Sequence, residues 1–152
     1  MLKFTHSRAL TAIFFLLMFV FASCETLDFS LKTQKDLDLS IKAYNLGFES
    51  KTIDRTAPFV HPAHRAEYMA KSLEMTKRLT IFDVTVLDIK LFNNGIQTSI
   101  GSKENFDRAV VVMRYQLAVL PSTKLKNPII EQEWVLYQEQ WVIIPDLSTL
   151  LD

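Results

Sequence analysis

The hydrophobic period of this chain changes once, at Thr80, and the change restricts the fold to a helical first half followed by a sheet-forming second half. Before it, Leu37, Ile41, Tyr44 and Phe48 recur at i, i+4, i+7 and i+11, which is one stripe of a helix. Thr33-Gln34-Lys35-Asp36 reads as the capping box that starts this helix, with Asp in the reciprocal position. Asp38, Lys42, Asn45 and Glu49 repeat the same spacing on another face and are expected to be solvated. The segment 57–62, Ala-Pro-Phe-Val-His-Pro, interrupts the pattern, and Pro62 suits the first position of a second helix running to about Arg78. In that helix Glu67, Lys71, Glu74 and Arg78 supply a charged face, and Ala66, Met69, Leu73 and Leu79 an apolar one.

After Thr80 the chain alternates. Phe82, Val84 and Val86 lie on one parity and Leu87, Ile89 and Leu91 on the other, so this strand slips faces or carries a bulge near Val86 and Leu87. Asn93-Asn94-Gly95 supplies the positive-φ residues of a tight hairpin, and Ile96, Thr98 and Ile100 continue as the next strand. Residues 108–120 form a long strand whose Ala109, Val111, Met113, Tyr115, Leu117 and Val119 are expected to face the core. Beyond Pro121 and Pro128, Ile130, Trp134 and Leu136 share a face with Glu131 and Glu133 opposite, and 141–144 closes the sheet before Pro145. The predicted class is α+β: two N-terminal helices packed on a curved antiparallel sheet of about four strands, in one domain over 33–145. Residues 146–152 are left as a C-terminal tail.

The N-terminus has a different composition. Residues 1–23 hold no acid, two bases (Lys3 and Arg8) and five of the eleven Phe. The apolar run 9–22, broken only by Thr11, is shorter than the roughly 20 residues a spanning helix needs, so it reads as an export signal. Without it the 17 bases fall to 15 against 17 acids, a normal soluble balance. The run ends Val20-Phe21-Ala22-Ser23-Cys24, and small residues before a cysteine resemble the bacterial lipobox, with Phe21 standing where that pattern usually has Leu. The resemblance implies a signal peptide over 1–23, cut before a lipid-modified Cys24, and a membrane held as partner through that anchor. Cys24 is the only cysteine, so an exported domain has no intrachain disulfide, and a lipid thioether accounts for it. Residues 24–32 show no persistent period and read as a tether. By resemblance to lipoproteins of two-membrane bacteria, Glu25 rather than Asp after the cysteine implies the periplasmic face of the outer membrane.

Two helices, a bulged strand, an Asn-Gly hairpin and a closing pair of strands with Trp134 and Trp141 resemble the NTF2-like (cystatin-like) superfamily over roughly 33–145. The local signals are His61-Pro62 at the entry to the second helix and the run Glu133-Trp134-Val135-Leu136-Tyr137-Gln138-Glu139-Gln140-Trp141, where Glu139-Gln140 replaces the usual turn glycine. The resemblance implies a sheet wrapped into a cone whose open end is a pocket, an active site or filled core, a choice that fold alone does not make.

Chemistry is sparse. Three glycines in the whole chain leave no phosphate-cradling loop, no dinucleotide fingerprint and no nucleophile elbow. His61, His64 and Glu67 step by three, but His61 precedes the helix and no second ligand cluster follows, so no metal or other cofactor is expected. Glu131 and Glu133, two apart on a strand, read as solvated rather than as a glycosidase pair. Dispersed bases argue against nucleic acid. The one candidate pocket is the cone interior, where Tyr44, Tyr68, Met113, Tyr115 and Trp134 surround a small apolar ligand with Arg114 or Asp88 near the mouth, although core packing is the stronger reading. Tyr44 with Asp83 or Asp88 is the only acid–base combination. The expected function is a non-enzymatic, lipid-anchored envelope module that binds a partner protein or a small hydrophobic ligand, with a homodimer through the sheet as a possible association. No catalytic residue is assigned. An NTF2-like enzyme of isomerase or dehydratase type is the alternative.

Overall fold

The computed structural model describes residues 25–99 and 105–150. Helix α1 (Glu25–Glu49) is followed by the short α2 (Ile53–Thr56), two 3-10 turns (Ala57–Phe59 and Pro62–His64) and α3 (Arg65–Arg78). Strands β1 (Leu79–Asn93), β2 (Ile96–Thr98), β3 (Arg108–Val119), β4 (Ile129–Tyr137) and β5 (Gln140–Ile144) then form one open antiparallel sheet in the order β2-β1-β3-β4-β5. The class is α+β, with helices before sheet, as the change of period requires. The detail differs from two helices and about four strands. Among the described residues there are three helices, because the four-residue α2 is too short to show a period, and five strands. The hairpin expected at Asn94-Gly95 is present, its positive φ values of 49° and 81° folding β2 back on the end of β1, and the strands number five where about four were expected.

Helix α1 runs back to Glu25, through the residues expected to form a tether. Once a helix is nucleated, each added residue gains a hydrogen bond, so it can extend past its packed part. Leu31 and Lys32 are exposed, and Thr33 is buried. Thr33 is therefore not a cap; it lies inside the helix, and its carbonyl accepts a hydrogen bond from Trp141 Nε1 at 3.1 Å. Leu37, Ile41, Tyr44 and Phe48 are buried as their spacing predicts. Helix α3 turns a different face inward. Tyr68, Ser72 and Met75, continued by Leu79, are buried, while Leu73 is 58 % exposed. These four residues also step i, i+4, i+7, i+11, and the buried stripe is the one that carries the large ring. The ring also finds a partner, since Tyr68 OH donates to Thr56 Oγ1 at 2.6 Å. Gly47 permits the close approach of α1 and α2, because a Cβ there would lie 2.7 Å from Thr56 Cγ2.

Strand β1 bends at two bulges. Its pairing with β3 passes from Ile81↔Leu117 to Asp83↔Gln116 and from Val86↔Met113 to Asp88↔Val112, leaving Phe82 and Leu87 as the extra residues. The bulge at Leu87 explains the change of parity in the sequence, while the one at Phe82 leaves no parity change to read. Together they return Ile81, Val84, Ile89 and Leu91 to the face shared with Leu117, Tyr115, Val111 and Ala109. Those β3 side chains and Met113 are all buried, so the inward parity of β3 is as expected.

The β4–β5 hairpin turns through Gln138 and Glu139, which both take left-handed backbone at φ 49° and 64°. Side chains other than Gly, Asn and Asp pay for this conformation in steric strain. Replacing the pair by Asn-Gly (Gln138→Asn with Glu139→Gly) is expected to stabilise the protein by about 1 kcal/mol, read as a higher urea midpoint at unchanged slope.

Candidate functional site

The fold brings together all five residues of the candidate pocket. Tyr44, Tyr68, Met113, Tyr115 and Trp134 are each at most 2 % exposed. Tyr44 meets Trp134 edge to face at 5.7 Å between ring centroids and lies 6.2 Å from Tyr68, while Phe48 meets Tyr115 at 6.2 Å. Such rings add attraction beyond the area they bury.

Between these rings lies a closed set of polar groups. Gln132 Nε2 donates to Asn45 Oδ1 at 2.9 Å and to Tyr115 OH at 2.8 Å. Tyr115 OH in turn donates to Asn45 Oδ1 at 3.1 Å, and Trp134 Nε1 donates to Gln132 Oε1 at 3.2 Å. Asn45 Nδ2 donates to the Ile41 carbonyl at 2.9 Å. Asn45, read from its spacing as solvated, is buried at 7 % because Gln132 and Tyr115 reach it from the sheet. Gln132 is the residue that sequence reasoning missed. Its signal was present: it shares the inward parity of Ile130 and Trp134, and a carboxamide at such a position needs partners. Burial raises the pKa of Tyr44 well above the ordinary phenol value, with Tyr68 and Tyr115 adding to the shift. Tyr115 is raised by burial as well, against the lowering effect of its bond to Gln132. Both hydroxyls stay protonated through the neutral range.

The free space beside this network is about 20 Å³, bordered by Tyr44, Phe48, Tyr115 and Gln132. That is room for about one water molecule. Leu147 and Leu150, from the segment read as a tail, are buried and border this space. Asp146 holds this segment by accepting from Ser148 Oγ at 2.6 Å and Ser148 N at 3.1 Å.

The charged residues expected at the mouth lie elsewhere. Asp88 pairs with Val112, and Arg114 with Thr85 and Ile129, on the outer face of the sheet, because outward and inward side chains alternate along β3. Asp83 also faces outward and accepts from Thr85 Oγ1 at 2.7 Å, so neither Asp83 nor Asp88 forms an acid–base pair with Tyr44. Glu131 and Glu133 are on the same outer face, where Lys90 lies 3.5 Å from Glu131 and Arg108 2.8 Å from Glu133. The Arg108 guanidinium also lies over the Phe92 ring at 5.6 Å. His61 accepts from Ala63 N ahead of α3, and Glu67 pairs with Lys71 at 2.6 Å. Among the described residues no three His, Cys, Asp or Glu side chains gather around a point that would hold a metal.

Comparison with family models, curated proteins and solved structures found no match to this chain. The expected lipid attachment at Cys24 and the signal peptide lie outside the described residues. Among the described residues no helix is long and apolar enough to cross a membrane.

Trp134→Ala is expected to lower the unfolding free energy by about 3 to 5 kcal/mol in urea titration, from the cavity left by the indole. Gln132→Leu, similar in size, is expected to cost about 2 to 5 kcal/mol by leaving Asn45, Tyr115 and Trp134 short of partners. A pH dependence follows from Asp146, whose pKa is lowered chiefly by its bonds to Ser148. A depressed carboxylate pKa means the contribution of these bonds is fully present above the ordinary carboxylate range and lost as pH falls through the lowered value. Leu150 methyl resonances followed on acidification should shift in that window, and Asp146→Asn should remove the transition.

Proposed function

We propose that this chain is a lipid-anchored protein of a bacterial envelope whose NTF2-like domain binds a partner protein and carries out no chemistry. In this reading Cys24 begins the mature chain and bears the acyl groups, on the periplasmic face of the outer membrane. Burying acyl chains contributes about 0.8 kcal/mol per methylene, so several chains hold the protein without a spanning helix.

The observation that carries the binding role is the filled cone. A catalytic or ligand-binding cone needs free volume and polar groups aimed into it. The cleft beside the network holds about 20 Å³, and the side chains of Asn45, Tyr115, Gln132 and Trp134 bond to one another. A small hydrophobic ligand would first have to displace Leu147 and Leu150. That leaves the outer surfaces as the working part. Exposed apolar side chains on them include Phe82 and Leu87 at the β1 bulges, Ile129 on the outer sheet face and Leu39 on α1, and the sheet face also offers a route to a homodimer.

Native mass spectrometry of the full protein extracted from its own membranes tests both halves of the reading. The expected species begins at Cys24, carries diacylglycerol plus an N-acyl chain, and retains no other small molecule. An unmodified chain that keeps residues 1–23 overturns the anchor, and a co-purifying apolar compound overturns the filled interior.

A further inference from the structure

The described surface has a recess of about 420 Å³ between α1, the Ala57–Phe59 turn and the β4–β5 hairpin. Leu39, Pro58, Phe59 and the largely buried Trp141 line it, together with the acidic residues Asp36 and Glu139. We infer that this recess is the docking groove for a partner segment that presents an arginine or lysine beside a bulky apolar residue. The inference rests on the partner-binding reading and names the chemistry of that partner.

Three observations select this occupant. Leu39 is 55 % exposed beside the aromatic wall, an apolar surface that an apolar side chain would cover. No basic residue lines the recess, and the ion pairs among the described residues use Glu67, Glu131 and Glu133, so Asp36 and Glu139 hold no counter-cation there. The carboxylate of Glu139 also stands on a left-handed backbone at φ 64°, where glycine is the unstrained choice. Two acidic residues beside the apolar Leu39 and Phe59 suit a cation with an aliphatic stem: the stem lies along Leu39 and Phe59 while the charged head meets Asp36 or Glu139. The same charges repel an acidic peptide and the anionic head groups of a bilayer.

The chain's two tryptophans supply the readout. Trp141 lines the groove and its indole N–H is bonded to the Thr33 carbonyl, whereas the Trp134 indole N–H is bonded to Gln132 in the core. Full-length, ¹⁵N-labelled protein in detergent micelles is titrated with arginyl-leucinamide and, in parallel, with glutamyl-leucinamide at millimolar concentration. The expected result is a saturable shift of the Trp141 indole resonance with the arginyl compound alone, weakened by added salt, while Trp134 stays still. Asp36→Asn and Glu139→Gln, which keep shape and hydrogen-bonding capacity, should each weaken binding by about 2- to 5-fold. Equal shifts with both compounds, no shift at Trp141, or a shift at Trp134 would overturn the proposal. Photo-crosslinking in native membranes, with benzoylphenylalanine at Leu39 or at Ile129 on the outer sheet face, separates its failure from that of the wider reading. A protein adduct at Ile129 alone sinks the groove and keeps partner binding, and an adduct at neither position sinks both.

Discussion

The side chain of Gln132 holds this architecture together. It reaches from β4 to Tyr115 on β3 and Asn45 on α1, and its carbonyl accepts a hydrogen bond from the Trp134 indole N–H. Each group would be costly to bury alone; joined, they leave no polar atom in need of water and set the position of the helix on the sheet. Apolar packing tolerates small slides of a helix across a sheet, whereas hydrogen bonds of 2.8 to 3.2 Å do not. The aromatic rings then pack around a helix whose place is already set, between it and the sheet.

The large features of the fold were legible in the sequence because each buried stripe has a period. Leu37 to Phe48 and the odd-numbered residues of β3 have no other reading, and the Leu87 bulge shows as a change of parity. What escaped reading was decided by contacts between distant segments. Asn45 shares its spacing with Lys42 and Glu49, and only the sheet opposite makes it a buried residue. Helix α3 offers two apolar stripes of similar strength, and the hydroxyl of Thr56 favours the one that carries Tyr68. Asp88 and Arg114 lie on the outer face of the sheet rather than at a mouth, Asp88 because the bulge at Leu87 shifts its register and Arg114 because it has the outward parity of β3. The site was legible to the same degree. The five aromatic and Met residues do meet, but volume cannot be counted along a sequence, and that quantity separates a pocket from a core.

The outer face of the sheet shows a different balance. Val110 and Val112 lie between ionised neighbours, with Arg108 set against Glu133 and over Phe92. Exposed ion pairs of this kind contribute little stability. Their effect is to keep a two-sided sheet from presenting a plain apolar surface, while the apolar side chains of Phe82 and Leu87 stand at the bulges, where the edge of β1 is bent. Association along that edge has to match a kinked backbone, which disfavours indiscriminate strand pairing.

The backward extension of α1 has a mechanical consequence. The helix from Glu25 to Thr33 rises about 12 Å at 1.5 Å per residue, and Asp36 lies about one turn further on. For a chain held at its first residues this is a stiff strut rather than a loose leash. Under the anchoring proposed at Cys24, it would limit how far the domain stands from the membrane and the volume it sweeps. Under that proposal an upright strut would lift the proposed groove beyond the roughly 8 Å over which a charged bilayer is felt at physiological salt. A strut lying flat would bring the groove into that layer. Tilt, rather than tether length, would then govern which partners can reach it.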